Sequence, residues 1–451
     1  MNIRRIIAGI LSVVISTVLC AGYVKASADD TVRDLAEQFR RGSRCSQFSI
    51  VIYDHGSIKY YGDKDALYQI GSMTKAFTGL AVQKLINEGV IDEEDIISEL
   101  IPGFEAYYGS EKADIRIKDL LEQKSGYTNN EKKYPAADDD MTLSEWAASV
   151  SGKELSSLPG TEYAYSNVNY NLLGLIIEKA GGSDYRTYMQ KEILDSLGLH
   201  NTYIGTPADN RIVEGTRLIY RNVCGFKINV KEAGIPAGYF YSNAEDMSRW
   251  IEIWTGNADI PADLEACLER VKGRLINEGD YYSGWEKFEG DVTGHSGGTP
   301  NYSSRIVFSE DKLTGVCVLT NLNVAATTDS LCNGVYDIVT GEAPVSMQED
   351  VWTVFDKIFT CVTIAGIGLF IMGIGIRKRR ILIISDVVLI LLFVLVMVLF
   401  PMIFGAGLYE IVFIWAPWSL AGGLLIFIAD IIVISLKLLT GKINADHYAT
   451  G

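Results

Sequence analysis

The chain is expected to be an α+β protein, with an antiparallel sheet flanked by helices, a helical subdomain, and three transmembrane helices after it. Three observations predict this. Strand-like alternation appears early, in "FSIVIYDHGSIKYYGD" (48–63), and returns late, at 281–287, 303–309 and 314–320. Helical periodicity dominates the stretch between. Three long apolar runs fill the C-terminal part, at about 358–376, 381–403 and 411–436.

Taken in order, residues 1–28 read as a secretory signal peptide. Arg4 and Arg5 precede an apolar run from Ile6 to about Leu19, and Ala26-Ser27-Ala28 offers small residues for cleavage after Ala28. A bulky Leu19 before Cys20 fits a lipid-attachment signal poorly. A helix is expected at 31–41, then two antiparallel strands turning at His55-Gly56. From Ser72 to about Glu88, Met73, Phe77, Leu80, Leu85 and Ile86 recur at helical spacing with Gly89 as C-cap, and that much apolar coverage means a buried helix. Further helices are expected at 115–123, 142–150, 167–180, 184–196 and 244–255, and a last one at 321–340 packs back on the sheet. Strands at both ends of a helical middle place both ends of the domain in one sheet.

Each C-terminal apolar run is long enough for a hydrocarbon core of ~30 Å. Arg377-Lys378-Arg379-Arg380 joins the first two, so that loop belongs on the cytoplasmic side, with Lys437 and Lys442, while Tyr409, Trp415 and Trp418 suit the outer interface. Residues 29–350 are then extracytoplasmic, 351–440 form the membrane part and 441–451 a cytoplasmic tail. Asp386 and Asp430 fall toward the cytoplasmic ends of their spans, where hydration or a helix contact accommodates them. Gly366, Gly368, Gly373 and Gly375 suggest a close helix contact.

The formal net charge is −16, and the excess of acid is larger still in 29–350, because the flanking segments are net basic. Phosphate repulsion argues against a nucleic-acid partner. Of seven cysteines, Cys45, Cys224, Cys267, Cys317 and Cys332 are external. An odd number without C-x-x-C spacing supports neither a zinc site nor a complete disulfide framework, though one bridge is possible. No metal or cofactor is expected.

Three stretches carry candidate chemistry. In "QIGSMTKAFTG" (69–79), Ser72 stands three residues before Lys75 at a helix start, where unpaired N–H groups favour developing negative charge and a desolvated lysine can act as base. The plainer alternative is a capping serine with a surface lysine. Ser309 and Lys312 repeat the spacing, but in a tight turn between two strands. In "PGTEYAYSNVNYN" (159–171), Tyr165 can move a proton and Asn167 orient an amide, or they are a core aromatic and a helix cap. In "GHSGGTPNYSS" (294–304), glycines next to a strand let a substrate backbone lie close and a backbone N–H face an oxyanion, unless this is an ordinary turn.

In this order the three motifs resemble the serine β-lactamases and penicillin-binding proteins, in particular the class C β-lactamase-like branch. The resemblance spans about residues 32–340 and includes "IKDLLEQKSGY" (117–127), "MQKEILDSLGLHNTY" (189–203) and "AGYFYSNAEDMSRW" (237–250). It implies a β-lactamase/transpeptidase-like fold and a hydrolase passing through an acyl-serine. Ser72 is then the nucleophile, Lys75 and Tyr165 transfer protons, Asn167 binds the substrate amide, and His295, Ser296 and Gly297 line the strand edge. The N–H groups of Ser72 and Gly298 would form the oxyanion hole. The resemblance implies amide or ester substrates containing D-amino acids, or similar small acyl compounds. Two positions depart from the family pattern: His295 replaces the usual Lys, which weakens attraction for a substrate carboxylate, and Asn301 stands where many relatives have Gly. With its leader and three spans the chain is also similar in architecture to the colibactin-maturing peptidase, which removes an acylated D-amino-acid prodrug group outside the inner membrane. The competing class is a penicillin- or peptide-binding sensor without turnover. Oligomeric state is not readable.

Overall fold

The computed structural model describes residues 28–375 and 378–448. The leader through Ser27, Arg377 and the last three residues lie outside the described residues.

One seven-stranded sheet organises the domain before the three long apolar helices. Its strands are β1 (Phe48–Asp54), β2 (Ser57–Tyr61), β3 (Tyr281–Tyr282), β4 (Trp285–Phe288), β5 (Val292–Thr299), β6 (Tyr302–Ser309) and β7 (Thr314–Thr320), in the order β3-β4-β5-β6-β7-β1-β2. The expectation that both ends of the domain share a sheet holds. β1 pairs antiparallel with β7 along its whole length, from Phe48 opposite Thr320 to Asp54 opposite Thr314. The turn between β1 and β2 has His55 and Gly56 both at positive φ, the handedness a two-residue hairpin turn needs.

On one face of the sheet lie helices α1 (Ala28–Ser43) and, near the end of the domain, Ala325–Thr340. Val32, Leu35, Ala36 and Phe39 of α1 form its buried stripe, and pack with Ile50, Val316, Leu331 and Val335. The other face carries the helical part, including α2 (Thr74–Asn87), α3 (Asn167–Gly181) and α4 (Ala244–Trp254). Every residue of α2 from Thr74 to Leu85 is buried, as expected for a helix apolar on all sides. Phe77 stacks on Trp250 with ring centroids 4.2 Å apart. Helix α3 ends where expected, with Gly182 left-handed at φ 70°.

Several elements differ from expectation. Ser72 sits in a 3-10 turn, Gly71–Met73, and the α-helix starts only at Thr74. The helix expected at 115–123 shortens to Ile117–Leu121, because Gln123 adopts a left-handed backbone at φ 58°. The stretch 184–196 is not one α-helix. It contains a π-wound segment, Met189–Leu194, whose wider turn keeps Met189, Ile193 and Leu197 facing the core together. A helix at Ala262–Arg274 was not foreseen. All six described cysteines are free, so the possible bridge is absent among the described residues.

Three helices are long and apolar enough to cross a membrane, at Val351–Ile371, Arg380–Phe404 and Trp418–Thr440. The third apolar run does not form one helix from 411. A π-wound segment, Glu410–Trp415, precedes a break at Pro417, and the long helix begins at Trp418. Of the glycines expected at a helix contact, Gly366 packs against Ile426 and Asp430 while Gly368 faces open space. Asp386 accepts a hydrogen bond from Ser435 of the third long helix at 2.9 Å, and Asp430 is buried.

The turn Ser283-Gly284 between β3 and β4 lies so close to α2 that a Cβ on Gly79 would overlap the Ser283 carbonyl, whereas a Cβ on Gly273 meets nothing. Gly79→Ala should therefore destabilise the protein by about 1–3 kcal/mol through overpacking, while Gly273→Ala should be neutral or stabilise by about 0.5–1 kcal/mol. Thermal melts of the two solubilised variants against wild type check this pair.

Candidate functional site

The first two motifs meet at the start of α2. Ser72 is half-buried on its 3-10 turn, and Lys75, one turn along the same face, is fully buried. Lys75 Nζ lies 2.9 Å from Ser72 Oγ, 2.8 Å from Asn167 Oδ1 and 2.6 Å from the carbonyl of Ala237. No carboxylate is among these partners, and desolvation holds the amine well below its ordinary pKa. A neutral amine has two hydrogens. In the neutral form that burial favours, the two carbonyl oxygens, which can only accept, would take both and leave the lone pair for the serine hydroxyl. That is the arrangement a base needs to activate a nucleophile.

Tyr165 stands beside this pair. Lys75 Nζ lies 4.9 Å from the centroid of its ring. Its phenol oxygen is enclosed and makes no well-formed hydrogen bond. Burial raises its pKa, only partly opposed by the nearby Ser72 hydroxyl. The segment carrying Tyr165 and Asn167 is held from below. Gln123 Oε1 accepts from the Ser166 N–H at 2.9 Å and from Asn169 Nδ2, and Asn129 Oδ1 accepts from the Asn167 N–H at 2.9 Å. Gln123, Asn129 and Ala237 were not singled out from the sequence. Gln123 could have been, as a long polar residue ending an apolar helix that has no other reason to stop.

The third motif is itself strand β5 rather than a loop leading into one. β4 pairs only with Val292 to Gly294, so the edge from His295 to Thr299 is open. That edge meets the serine turn at very close range. A Cβ on Gly71 would overlap the amide nitrogen of Gly298, and a Cβ on Gly297 would overlap the Ile70 carbonyl and Ser304 Oγ. Gly71 also has φ 53°, so both positions require glycine. The backbone of Gly298 is thereby held against the Ser72 turn.

His295 is buried and faces Tyr281 and Tyr165. Its Nδ1 donates to the Ser296 carbonyl at 2.6 Å, which fixes the tautomer and leaves Nε2 to accept from Tyr281 Oη at 3.3 Å. Burial, with Lys75 nearby, lowers its pKa to about 3. Side chains alternate across a strand, so Ser296 points to the opposite face. There it accepts from Arg305 at 2.8 Å and donates to Asp329 at 2.9 Å. The expectation that Ser296 lines the edge holds for its backbone, not for its hydroxyl. Asn301, also buried, donates to the Phe226 carbonyl at 2.7 Å.

The second Ser-x-x-Lys pair is a turn, as expected. Ser309 Oγ accepts from the Lys312 backbone N–H at 3.2 Å, while the Lys312 ammonium reaches Glu342. Two surface hollows lie away from Ser72, one around Tyr108, Arg116 and Leu158, another around Arg33, Tyr61 and Arg211. Neither has a nucleophile beside a base, so chemistry locates the site better than concavity does. Among the described residues no cluster of potential ligands could hold a metal.

Residues 32–338 match the family model described as Beta-lactamase. The chain is 31% identical over 295 residues to Protein flp of Staphylococcus aureus (strain MW2), covering 61% of this chain and 59% of that protein. It thus spans less than two thirds of that relative's length. Among solved structures it is similar to the octameric penicillin-binding protein homologue from Pyrococcus abyssi (TM-score 0.60, 21% identity, 73% of this chain and 81% of the other). It is likewise similar to the beta-lactamase/D-alanine carboxypeptidase from Pseudomonas syringae (TM-score 0.61, 18% identity, 70% and 99%). At these identities the likeness to the structures carries the fold alone.

The geometry sets two expectations. If Ser72 acts as a nucleophile with Lys75 as its base, Lys75→Met should slow its acylation by about 10²–10⁴-fold, the range for losing a positioned base, measured by stopped-flow with an activated ester. The unfolded chain takes a proton on His295 near the ordinary value of 6.5, but the folded protein only near about 3. Stability should therefore fall as pH drops from 6.5 toward 3, and His295→Asn should flatten that slope in denaturant titrations.

Proposed function

Because the chain belongs to the beta-lactamase family, we propose that it is a membrane-anchored serine hydrolase that forms an acyl-enzyme on Ser72. The observation that carries this is the buried Lys75 amine, 2.9 Å from Ser72 Oγ with two carbonyl oxygens and no carboxylate as its other partners, where desolvation favours the neutral form. Lys75 takes the hydroxyl proton as Ser72 attacks the carbonyl, and Tyr165, whose phenol oxygen is otherwise unpaired, relays the proton to the leaving group. The N–H groups of Ser72 and Gly298 receive the oxyanion, and the open edge of β5 takes the substrate backbone. Water then releases the acyl group by the reverse relay. Three helices long and apolar enough to cross a membrane support the anchor, and the basic residues at 377–380 favour residues 29–350 on the outer side by the positive-inside rule.

The substrate class is amide or ester bonds of D-amino-acid-containing peptides, or similar small acyl compounds. Neutral substrates suit the edge better than carboxylates do. His295 is uncharged, and Arg305 is engaged by Ser296 on the far face, with Asp329 and Glu286 acting on it. A prodrug-activating D-amino-acid peptidase is the more specific form of this reading.

Two experiments test it. A fluorescent fluorophosphonate should label membranes carrying wild type or Ser309→Ala, but not Ser72→Ala; label that survives loss of Ser72 refutes the nucleophile. N-acyl-D-amino-acid amides should be turned over about tenfold or more faster than D-Ala-D-Ala peptides with a free carboxylate, a difference of about 1.4 kcal/mol. The reverse order would overturn the role given to His295.

A further inference from the structure

An aromatic wall runs outward from the proton-transfer pair. At its centre is the buried Tyr281 of β3. Its ring centroid lies 6.5 Å from that of Tyr170, 5.8 Å from His295, 6.0 Å from Tyr165 and 6.0 Å from Tyr163. Exposure rises along this row. Tyr170 and His295 are buried and Tyr165 is half-buried, whereas Tyr163 is 52% exposed. Tyr163 thus rests against the same ring that backs Tyr165, with its other side in solvent.

The exposed ring stands on a fixed backbone. On one side of it the Gly160 N–H donates to the Lys124 carbonyl at 2.8 Å, and on the other the Ala164 N–H donates to the Gln123 carbonyl at 2.8 Å. The wall behind it is fixed too. The N–H of Ser283 donates to the Leu121 carbonyl at 3.2 Å, and a Cβ on Gly284 would overlap the backbone of Lys75 and Ala76. A ring held in this way loses little further freedom when a second flat group stacks on it, so the gain from stacking is kept.

The place of the ring follows from the chemistry beside it. Tyr165 passes the proton to the departing amine or alcohol, so the departing atom lies at the Tyr165 phenol. The inner corner there is filled by His295 and Tyr281, which contact each other at 3.3 Å through Nε2 and Oη. A substituent on the departing atom therefore extends outward, past Tyr163.

We propose that Tyr163 is a specificity-determining residue, whose exposed ring face stacks on the group carried by the departing amine or alcohol, so that the site takes substrates with a flat, aromatic leaving group. The proposal rests on the acyl-Ser72 reading above. The bonds that change are those of that reading: the carbonyl carbon gains Ser72 Oγ, its bond to the departing atom breaks, and that atom takes the proton from Tyr165. Tyr163 exchanges neither atom nor proton. Its effect belongs to acylation, because the acyl-enzyme no longer carries the leaving group.

The test uses the full chain in nanodiscs, with active sites counted by fluorophosphonate titration. The methyl, cyclohexylmethyl and benzyl amides of one N-acyl-D-alanine keep the acyl half constant and vary the leaving half. Tyr163→Ala should lower the kcat/KM ratio of benzyl to cyclohexylmethyl amide by about fivefold, the scale of one aromatic pair. Tyr163→Phe, which keeps the ring, should hold the wild-type ratio. Single-turnover traces should place the loss in acylation and not in hydrolysis of the acyl-enzyme. With serine-dependent labelling intact, an unchanged ratio in Tyr163→Ala, or an equal loss on all three amides, overturns this proposal alone. Label that persists in Ser72→Ala overturns the serine reading and this proposal with it.

Discussion

The Lys75 amine is sealed from water with carbonyl oxygens, not carboxylates, as its fixed partners, and the rest of the site is arranged around that constraint. Burying an ammonium without a counter-ion costs several kcal/mol even after relaxation, so burial pulls the pKa of this amine well down and favours its neutral form. Once neutral, it has two hydrogens to place, and Asn167 and Ala237 take them. The orientation of its lone pair then follows from the positions of α3 and of the turn before Phe240. Those positions are set by threonines on the same helix as the lysine. Thr78 donates to the Pro236 carbonyl at 2.7 Å, and Thr74 accepts from the Phe240 N–H at 3.2 Å while donating to Gly71. The helix that carries Lys75, directly after the turn that carries Ser72, thereby also holds the acceptors around its amine.

The second constraint is backbone proximity. β5 runs against the Gly71–Ser72 turn with no room for a side chain at Gly71 or Gly297, and Ser304 of β6 ties the Ile70 carbonyl at 2.8 Å. The contact explains why the strand edge is glycine-rich and why it is open. β4 leaves β5 after Gly294, and Tyr281 and His295 fill the corner where a further strand pair would have been. The edge keeps unpaired backbone groups available for a substrate, at the place where the serine turn presents its own N–H groups.

Much of this was legible in the sequence, for reasons that differ by element. The β1–β2 hairpin, α3 and the β6–β7 pair each have a local period and a local stop signal that agree, such as His55-Gly56 and Gly182 at positive φ. The proposed nucleophile and its partners were legible because Ser72 lies one turn before Lys75 at a helix start, and because Tyr165 and Asn167 stand at the start of another helix. What was not legible depends on tertiary placement. The left-handed backbone of Gln123, the direction of the Ser296 hydroxyl and the part played by Ala237 are set by register and by contacts from distant segments. The break before Trp418 carries a visible signal in Pro417, which is easily passed over because the run around it is apolar enough to read as one helix; the carbonyls freed at the break are taken by Arg217.

Charge links these features to the choice of substrate. The domain carries a large excess of acid, and the cations nearest Ser72 are each committed. Lys75 is desolvated, and Arg305 spends its hydrogen bond on Ser296 while facing Asp329 on the far side of the sheet. A lysine in place of His295 would stand close to Lys75 in the same dry corner, and two ammonium groups there would each push the other's pKa down. A neutral histidine, locked by the Ser296 carbonyl, avoids that conflict and leaves the tuning of the base to burial alone. On the proposed reading, attraction for a substrate carboxylate is given up to keep positive charge away from Lys75, in favour of acyl groups recognised through backbone hydrogen bonds along β5.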